Sequence, residues 1–261
     1  MPPQTLIQQA AEAIILKEGN TIIKRRIIKG YRIKEIDEKL RLRRTRAEAK
    51  IIEKLQNTID VPKILKADEK SKEIIMEFID GKKLSEHLDE LTLEQQKLIC
   101  QELGKNITKM HDKEIIHGDL TTSNMILVEN PCNKHNKTNK NNANNPPQNT
   151  DNLMINKNKE YNSVMPEQEE GMKEAKLIKT NESDAKNNFK VFLIDFGLSF
   201  HSKKIEDNAV DIHLLKQALE SRHFQHWKVL FDSFLTGYNP KDKIQILKQL
   251  EKVELRGRYK H

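Results

Sequence analysis

The first 80 residues alternate short apolar runs with turn signals. The turn sequence EGN lies between two such runs, which together predict a β-hairpin. Two further apolar runs predict two more strands. Between these pairs, apolar residues recur near helical spacing from Ile36 to Leu55. The predicted strands cover residues 11–16, 21–27, 61–65 and 72–79, and the predicted helix covers residues 34–56.

Helical spacing dominates the later part of the chain. Apolar residues from Leu98 to Met110 predict a buried helix over residues 92–110. Three more amphipathic stretches predict helices over residues 210–221, 223–235 and 242–255. Strands followed by helices predict an α+β fold of two lobes with a cleft between them. We assign residues 1–79 to an N-lobe and hinge and residues 80–261 to a reduced helical C-lobe of one domain.

Residues 130–188 differ from everything around them. This segment is rich in Asn and Lys, has few apolar positions and shows no period, so we expect it to be disordered. The apolar runs NMILV and FKVFLID flank it and predict two paired strands. The segment is therefore predicted to be a long hairpin loop, and without its 59 residues Asp119 and Asp195 would be 17 positions apart.

Composition and charge indicate which partners and which cellular location to expect. The 261 residues carry a net charge of +7, and 33% are charged while 5% are aromatic. This excess of positive charge favours an anionic partner such as a nucleotide, RNA or an acidic protein surface. No run of 18 apolar residues occurs, and MPPQTLIQQAAEA lacks the features of a secretion signal. We expect a cytoplasmic protein with no membrane partner, whose two cysteines form no disulfide framework and no metal-ligand spacing.

A short polar loop, IHGDLTTSN, holds the first candidate chemistry. Asp119 precedes Asn124 by five positions between two apolar runs, and Asp195 follows the next strand in LIDFGLSF. Asn124 and Asp195 bracket one hairpin, so both oxygens can face a magnesium ion held with nucleotide phosphates. Asp119 is then free to accept a proton from an attacking hydroxyl or to orient a water. The alternative is a turn in which Asp119 and Asn124 bond only their own backbone.

A phosphate-binding cation is also needed, and Lys24 is the candidate. It lies in the predicted strand NTIIKRR, and Glu48 on the following helix is a carboxylate that can hold it. Taken singly, Lys24 is better explained as a solvated strand lysine, and Glu48 is better explained as a surface charge paired with an arginine. Together with Asp119, Asn124 and Asp195, they favour a phosphotransfer site.

These residues, in this order, resemble the protein-kinase superfamily. The shared features are the strand Lys24, the helix Glu48, the H-x-D-x-x-x-x-N loop that ends at Asn124, and DFG at residues 195–197. The resemblance implies ATP and Mg2+ as cofactors, with Asn124 and Asp195 as the metal ligands. It also implies a hinge at residues 76–81, in which Met76 lies behind the adenine and the backbone of Glu77 and Ile79 bonds its edge. Met76 alone is equally explained as core packing.

Several departures from the usual kinase pattern point to a smaller family. No G-x-G-x-x-G loop occurs, HGD replaces HRD, Thr121 stands where a lysine is usual, and no APE follows DFG. The segments KGYR, RRTRAEA, HGDLTTSN and the C-terminal RGRYK resemble the small atypical kinase of the KEOPS complex. That family has GAEA in its first loop, where this chain has Ala10, Ala11 and Glu12; the resemblance implies that Ala11 and Glu12 contact the nucleotide.

The same resemblance implies function and partners. It implies a protein that binds and hydrolyses ATP, phosphorylates serine or threonine, and acts in the complex that forms threonylcarbamoyladenosine in tRNA. The implied partners are the threonylcarbamoyltransferase subunit, the other KEOPS subunits and, through the complex, tRNA. Asp211 resembles the helix aspartate that braces the catalytic loop, although it also fits a helix N-cap.

Two other functions remain open from the sequence. Aminoglycoside and lipopolysaccharide kinases also use H-G-D loops, but this chain has no extra helical insert to build a small-substrate pocket. A non-catalytic pseudokinase is the third possibility. We also expect a basic surface in which the C-terminal end, from Arg256 to His261, joins the arginines of the first helix, although a charged terminus is often only solvated. Those arginines are Arg41, Arg43, Arg44 and Arg46.

Overall fold

The computed structural model describes residues 3–10, 12–129 and 189–258. The N-terminal part forms a five-stranded antiparallel sheet with the order β1-β2-β3-β5-β4. Lys24 and Arg26 lie on the strand at the centre of this sheet. The strands are β1 (Gln4–Gln9), β2 (Ala13–Glu18), β3 (Thr21–Arg26), β4 (Ile64–Asp68) and β5 (Glu73–Glu77).

Helix α1 (Lys34–Leu55) connects β3 to β4 and packs on the sheet. Two acidic residues in its first turn and Lys54 in its last turn complement the helix dipole. Its buried face carries Ala49, which packs with Ile74 and Met76 of β5. The neighbouring buried residue is a carboxylate, Glu48. The helix therefore brings one negative charge to the inner face of β3.

The C-terminal part is mainly helical. Helix α3 begins with a capping box between Thr92 and Gln95, and its residues Ile99, Leu103 and Ile107 are buried in the main core. Strand β8 pairs with β6 and β9, and β7 pairs with β10. The elements are β6 (Lys82–Lys83), α2 (Leu84–His87), α3 (Leu93–Asp112), β7 (Ile115–Ile116), β8 (Met125–Glu129), β9 (Phe189–Leu193), β10 (Phe200–His201), α4 (Ile205–Arg222), α5 (Trp227–Gly237) and α6 (Lys243–Arg258).

The hairpin of β8 and β9 sets the separation of two candidate residues. Met125 is paired with Leu193, and the Ile194 amide donates to the Asn124 carbonyl at 3.0 Å. Asn124 and Asp195 consequently emerge from the same end of two bonded strands. The segment 130–188, predicted to be disordered, lies outside the described residues. In the described part of the chain, no helix is long and apolar enough to span a bilayer.

Several elements differ from the sequence prediction; helix α5, for example, begins at Trp227 rather than residue 223. Strand β1 was not predicted, because all six of its residues are exposed at the edge of the sheet and show no apolar alternation. Strand β4 begins at Ile64 rather than residue 61, since Pro62 has no amide to donate to a ladder. Helix α4 begins at Ile205 rather than Val210, and its polar first turn with Glu206 and Asp207 gave no apolar signal.

Candidate active site

One cavity of about 510 Å³ collects the candidate residues. They come from the turn before β2 to the start of the segment after β9, and all of them line the same cavity. Because they are up to 183 positions apart, the fold rather than local sequence brings them together. Ala11 lies outside the described residues. The predicted site residues that line the cavity are Glu12, Lys24, Glu48, Met76, Glu77, Ile79, Asp119, Asn124 and Asp195.

Lys24 is shared by two carboxylates. Its Nζ lies 2.6 Å from Glu48 Oε1 and 2.6 Å from Asp195 Oδ1. Burial alone would lower the pKa of Lys24, but the two carboxylates raise it above its ordinary value. Burial likewise opposes the charge of Asp195, whose pKa the Lys24 ammonium holds below the usual range. Both groups are therefore charged at neutral pH.

Asp119 and Asn124 contact each other within the loop of residues 117–124. The Asn124 amide nitrogen donates to Asp119 Oδ2 at 2.9 Å and to the Asp119 carbonyl at 3.0 Å. The backbone amides of Thr121 and Asn124 close the same turn. The turn predicted as an alternative is thus present, but both side chains also line the cavity. Because the Asn124 amide nitrogen bonds Asp119, the amide oxygen is the side-chain atom left to bind a cation.

The Asp211 carboxylate holds the backbone of this loop in place. It lies inside α4, so it is not the N-cap of that helix. Its oxygens accept from the amides of His117 and Gly118, each at 2.9 Å, and one oxygen lies 3.2 Å from His111 Nε2. Burial opposes the charge, but the hydrogen bond from His111 and those from the loop hold the pKa of Asp211 below its usual value. The buried Asp211 carboxylate therefore holds the backbone of the two residues that precede Asp119.

Asp195 has a left-handed backbone, with φ of 61°. This conformation is uncommon for a residue with a side chain and costs on the order of 1 kcal/mol. The Gly197 amide donates to its Oδ1 at 3.3 Å, which helps to hold it. The strained backbone turns the carboxylate from the strand end towards Lys24.

The predicted hinge lies at the edge of β5. Met76 is 8% exposed and packs with Ala49 and Ile74. Its side chain therefore belongs to the core, and the residue also lines the cavity. The Glu77 amide donates to the Lys63 carbonyl at 2.9 Å. A bound base can therefore reach Glu77 through the carbonyl oxygen rather than the amide. Ile79 is buried and also lines the cavity.

Glu12, at the turn between β1 and β2, forms ion pairs with two arginines. Its carboxylate lies 2.7 Å from Arg32 Nη2 and 2.9 Å from Arg44 Nη1. The hydrogen bond from Arg32 holds the pKa of Glu12 below its usual value. Arg41 is likewise paired with Asp37, and Arg46 with Glu69. Three of the four arginines expected to form a basic surface on α1 are therefore neutralised by neighbouring carboxylates.

Two contacts at or behind the site were missed from the sequence. Arg26 is buried, lines the cavity and pairs with Glu48 at 2.6 Å. Its position two residues after Lys24 was a usable signal, since alternate strand residues share a face. His111 Nδ1 lies 2.7 Å from the Tyr238 hydroxyl, behind Asp211. No local pattern links these two, because the contact joins α3 to the residue that follows α5.

Comparisons with known proteins give relatives of almost the whole chain. Residues 21–133 match the RIO domain family. The chain is 34% identical to the KEOPS complex subunit Bud32 of Pyrococcus abyssi, over 98% of this chain and 96% of that protein. It is 29% identical, over 95% of this chain and 92% of the relative, to the probable serine/threonine-protein kinase BUD32 homolog of Archaeoglobus fulgidus.

One longer relative is a probable bifunctional tRNA threonylcarbamoyladenosine biosynthesis protein of Methanococcus vannielii. It is 32% identical over 98% of this chain, which spans 36% of that protein. Among solved structures, the Rio2 kinase of Chaetomium thermophilum gives a TM-score of 0.51 at 13% identity, over 97% of this chain and 72% of that one.

WaaP in complex with acyl carrier protein gives a TM-score of 0.53 at 10% identity, over 98% of this chain and 89% of that one. At such identities a structural likeness is one of fold alone, and it confirms the predicted two-lobed kinase-like fold.

Proposed function

Because the chain belongs to the family of the KEOPS complex subunit Bud32, we propose that it is an ATP-dependent serine/threonine protein kinase and ATPase of that complex. The observation that carries the proposal is Lys24, whose Nζ lies 2.6 Å from both Glu48 and Asp195 in the cavity that also holds Asp119 and Asn124. This is the constellation that phosphoryl transfer requires: a phosphate-binding cation, its carboxylate holder, metal ligands and a base.

The chemistry of the donor set fits magnesium. Asn124 and Asp195 offer oxygens from two strand ends that are bonded to each other. In the described ranges no group of three or more His, Cys, Asp or Glu could hold a metal by itself. Magnesium suits such a site, since it commonly takes one or two protein ligands besides phosphates and waters. When bound, it would neutralise charge on the transferring phosphoryl group.

The remaining residues have distinct tasks in this proposal. Lys24 binds phosphate oxygens, and Glu48 orients it from α1. Asp119 accepts the proton of a serine or threonine hydroxyl, or orients a water when ATP is hydrolysed. Its side chain is held by the Asn124 amide, and its backbone by the loop that Asp211 braces. Met76, Ile79 and the Glu77 carbonyl take the base, and Glu12, between β1 and β2, contacts the phosphates, a role that the family resemblance also implies for Ala11.

The family relationship also supports a role in tRNA modification. We assign the chain a place in the complex that forms threonylcarbamoyladenosine, with a threonylcarbamoyltransferase subunit and other KEOPS subunits as direct partners and tRNA reached through the complex. The site of action would be the cytoplasm. A small-molecule phosphotransferase is less well supported, because the likeness to WaaP is one of fold alone.

The proposal is tested by assay of the purified chain and of the assembled complex. We expect Mg2+-dependent release of phosphate from ATP and transfer to protein hydroxyls, both lost on chelation with EDTA. A pull-down from native cells should recover a tRNA-modifying subunit. Phosphorylation of aminoglycosides or sugars in preference to protein would contradict the proposal, and ATP binding without turnover in the complex would indicate a pseudokinase.

A further inference from the structure

Arg26 is a second buried cation beside the Lys24–Glu48 pair. It lies two residues after Lys24 on β3, so both side chains point to the same face of the sheet. Its guanidinium Nη2 donates to Glu48 Oε2 at 2.6 Å, while Lys24 holds the other oxygen, Oε1. The side chains of Arg26 and Glu48 are 4% and 1% exposed. Glu48 is thus held at both oxygens by two different cations.

Lys24, Arg26, Glu48 and Asp195 form one corner of the cavity, and without a ligand their charges sum to zero. Lys24 and Arg26 supply two positive charges, and Glu48 and Asp195 supply two negative ones. In the proposed reaction Asp195 turns to the metal and Lys24 to the nucleotide phosphates. Glu48 stays buried and paired with Lys24, but Lys24 then also serves the nucleotide phosphates. A buried carboxylate with too little positive charge beside it is strongly unfavourable, so without a second cation Glu48 would compete with the phosphates for Lys24.

We infer that Arg26 is a positioning residue that keeps Glu48 fixed and neutralised, so that Lys24, still oriented by Glu48, can direct its charge to the phosphates of the nucleotide. The inference rests on the proposed function and assigns a residue that the kinase-type motifs do not include. The location supports it, since a Cβ placed on Gly197 would lie 3.5 Å from both Arg26 Nη2 and Lys24 Nζ. Both cations therefore border the corner of the cavity next to Asp195.

The test compares two ligands, Mg-ATP and adenosine, by calorimetric titration of the full chain. Arg26→Met should weaken Mg-ATP binding by about tenfold or more, the factor associated with a charge-assisted hydrogen bond, and leave adenosine binding nearly unchanged. The matched control is Arg25→Met. Arg25 is the intervening residue of β3, pairs with Glu73 and does not line the cavity, so its loss should change neither affinity.

A double variant separates an indirect role from a direct one. In Arg26→Met/Glu48→Gln the buried carboxylate is gone and the corner is again balanced, so Mg-ATP affinity and the melting temperature should recover above those of Arg26→Met. Arg26→Lys, which keeps the charge, should retain most of the ATP affinity. If Arg26→Met unfolds the chain, the double and lysine variants still allow the comparison with Glu48→Gln alone.

Three results have different meanings. Equal loss of Mg-ATP and adenosine binding in Arg26→Met would overturn the inference in favour of a purely structural role. A double variant that binds Mg-ATP clearly more weakly than Glu48→Gln alone would overturn it in favour of direct phosphate contact by Arg26. Failure of the unmodified chain to bind Mg-ATP would instead refute the proposed function, and with it the basis of the inference.

Discussion

At the scale of the residue, Gly118 explains why HGD replaces the usual HRD. Its φ is 78°, and a Cβ there would lie 2.5 Å from the Leu198 carbonyl oxygen. Gly118→Ala should therefore destabilise the chain by about 1 kcal/mol or more, because of left-handed strain and the clash. The matched control is Gly30→Ala, where no atom lies within 4 Å of the added Cβ. Urea unfolding measures both, and equal stability of the two variants would contradict the account.

Asp211 carries a second prediction at this scale. Asp211→Asn turns one acceptor into a donor that faces a backbone amide, so it should cost about 1 to 3 kcal/mol of stability and slow ATP turnover. Because the pKa of Asp211 is lowered in the folded chain, its carboxylate stabilises the fold fully above the ordinary aspartate pKa of about 3.9.

The stability difference between the unmodified chain and Asp211→Asn should consequently be constant at neutral pH. It should shrink as the pH falls below that ordinary value towards the lower pKa of the folded chain. Urea unfolding over a series of pH values measures it. A difference that grows towards acid would show that Asp211 is protonated in the native state.

Single-residue chemistry was predictable where it lay in short motifs. That Lys24, Asp119, Asn124 and Asp195 lie close together was predictable because a strand or a loop carries each in a recognisable spacing, and all four line one cavity. The ion pair of Arg26 and the His111–Tyr238 contact depend on packing between distant elements. The neutralisation of the α1 arginines was missed for the same reason, since Glu12 and Glu69 lie on other elements.

At the scale of the element, the β8–β9 hairpin gives a prediction for the insert. Glu129 and Phe189 are paired at the end of the ladder, so a short connection can join them. Deletion of residues 133–186 leaves five connecting residues, a common hairpin length. We expect an unchanged affinity for Mg-ATP and a melting temperature within a few degrees. A melting temperature many degrees lower would show that the insert packs on the domain.

Elements were predictable in proportion to their burial. Helices α1 and α3 agree with their predicted ranges to within two residues, because apolar spacing follows the buried face. Strand β1 failed because an exposed edge strand has no such spacing. The first turn of α4 was not predicted, because its acidic residues complement the helix dipole and are not apolar residues of the core.

At the scale of the whole molecule, the C-terminal end is the remaining candidate for nucleic-acid contact. Helix α6 extends to Arg258, and Arg256 pairs with Glu206 at the start of α4. Removal of residues 256–261 should spare Mg-ATP binding but weaken the stimulation of ATP hydrolysis by tRNA in the assembled complex. Glu206→Gln breaks the ion pair and keeps the tail, so it is the control.

The stimulation should be measured at two salt concentrations. If the tail contacts phosphates, the tRNA affinity that truncation removes should be larger at low salt, because phosphate contacts release counterions. Equal stimulation for the full and truncated chains at both concentrations would mean that the tail is only solvated charge.

The central claim is that Asp195 binds the metal and Asp119 acts as the general base. One paired measurement tests it. Calorimetric titration and turnover of Mg-ATP are compared for Asp195→Ala and Asp119→Ala. Loss of the general base should leave binding intact and slow turnover by about 10² to 10⁴, while loss of the metal ligand should weaken magnesium-dependent binding and abolish turnover. Full turnover in Asp195→Ala would contradict the account.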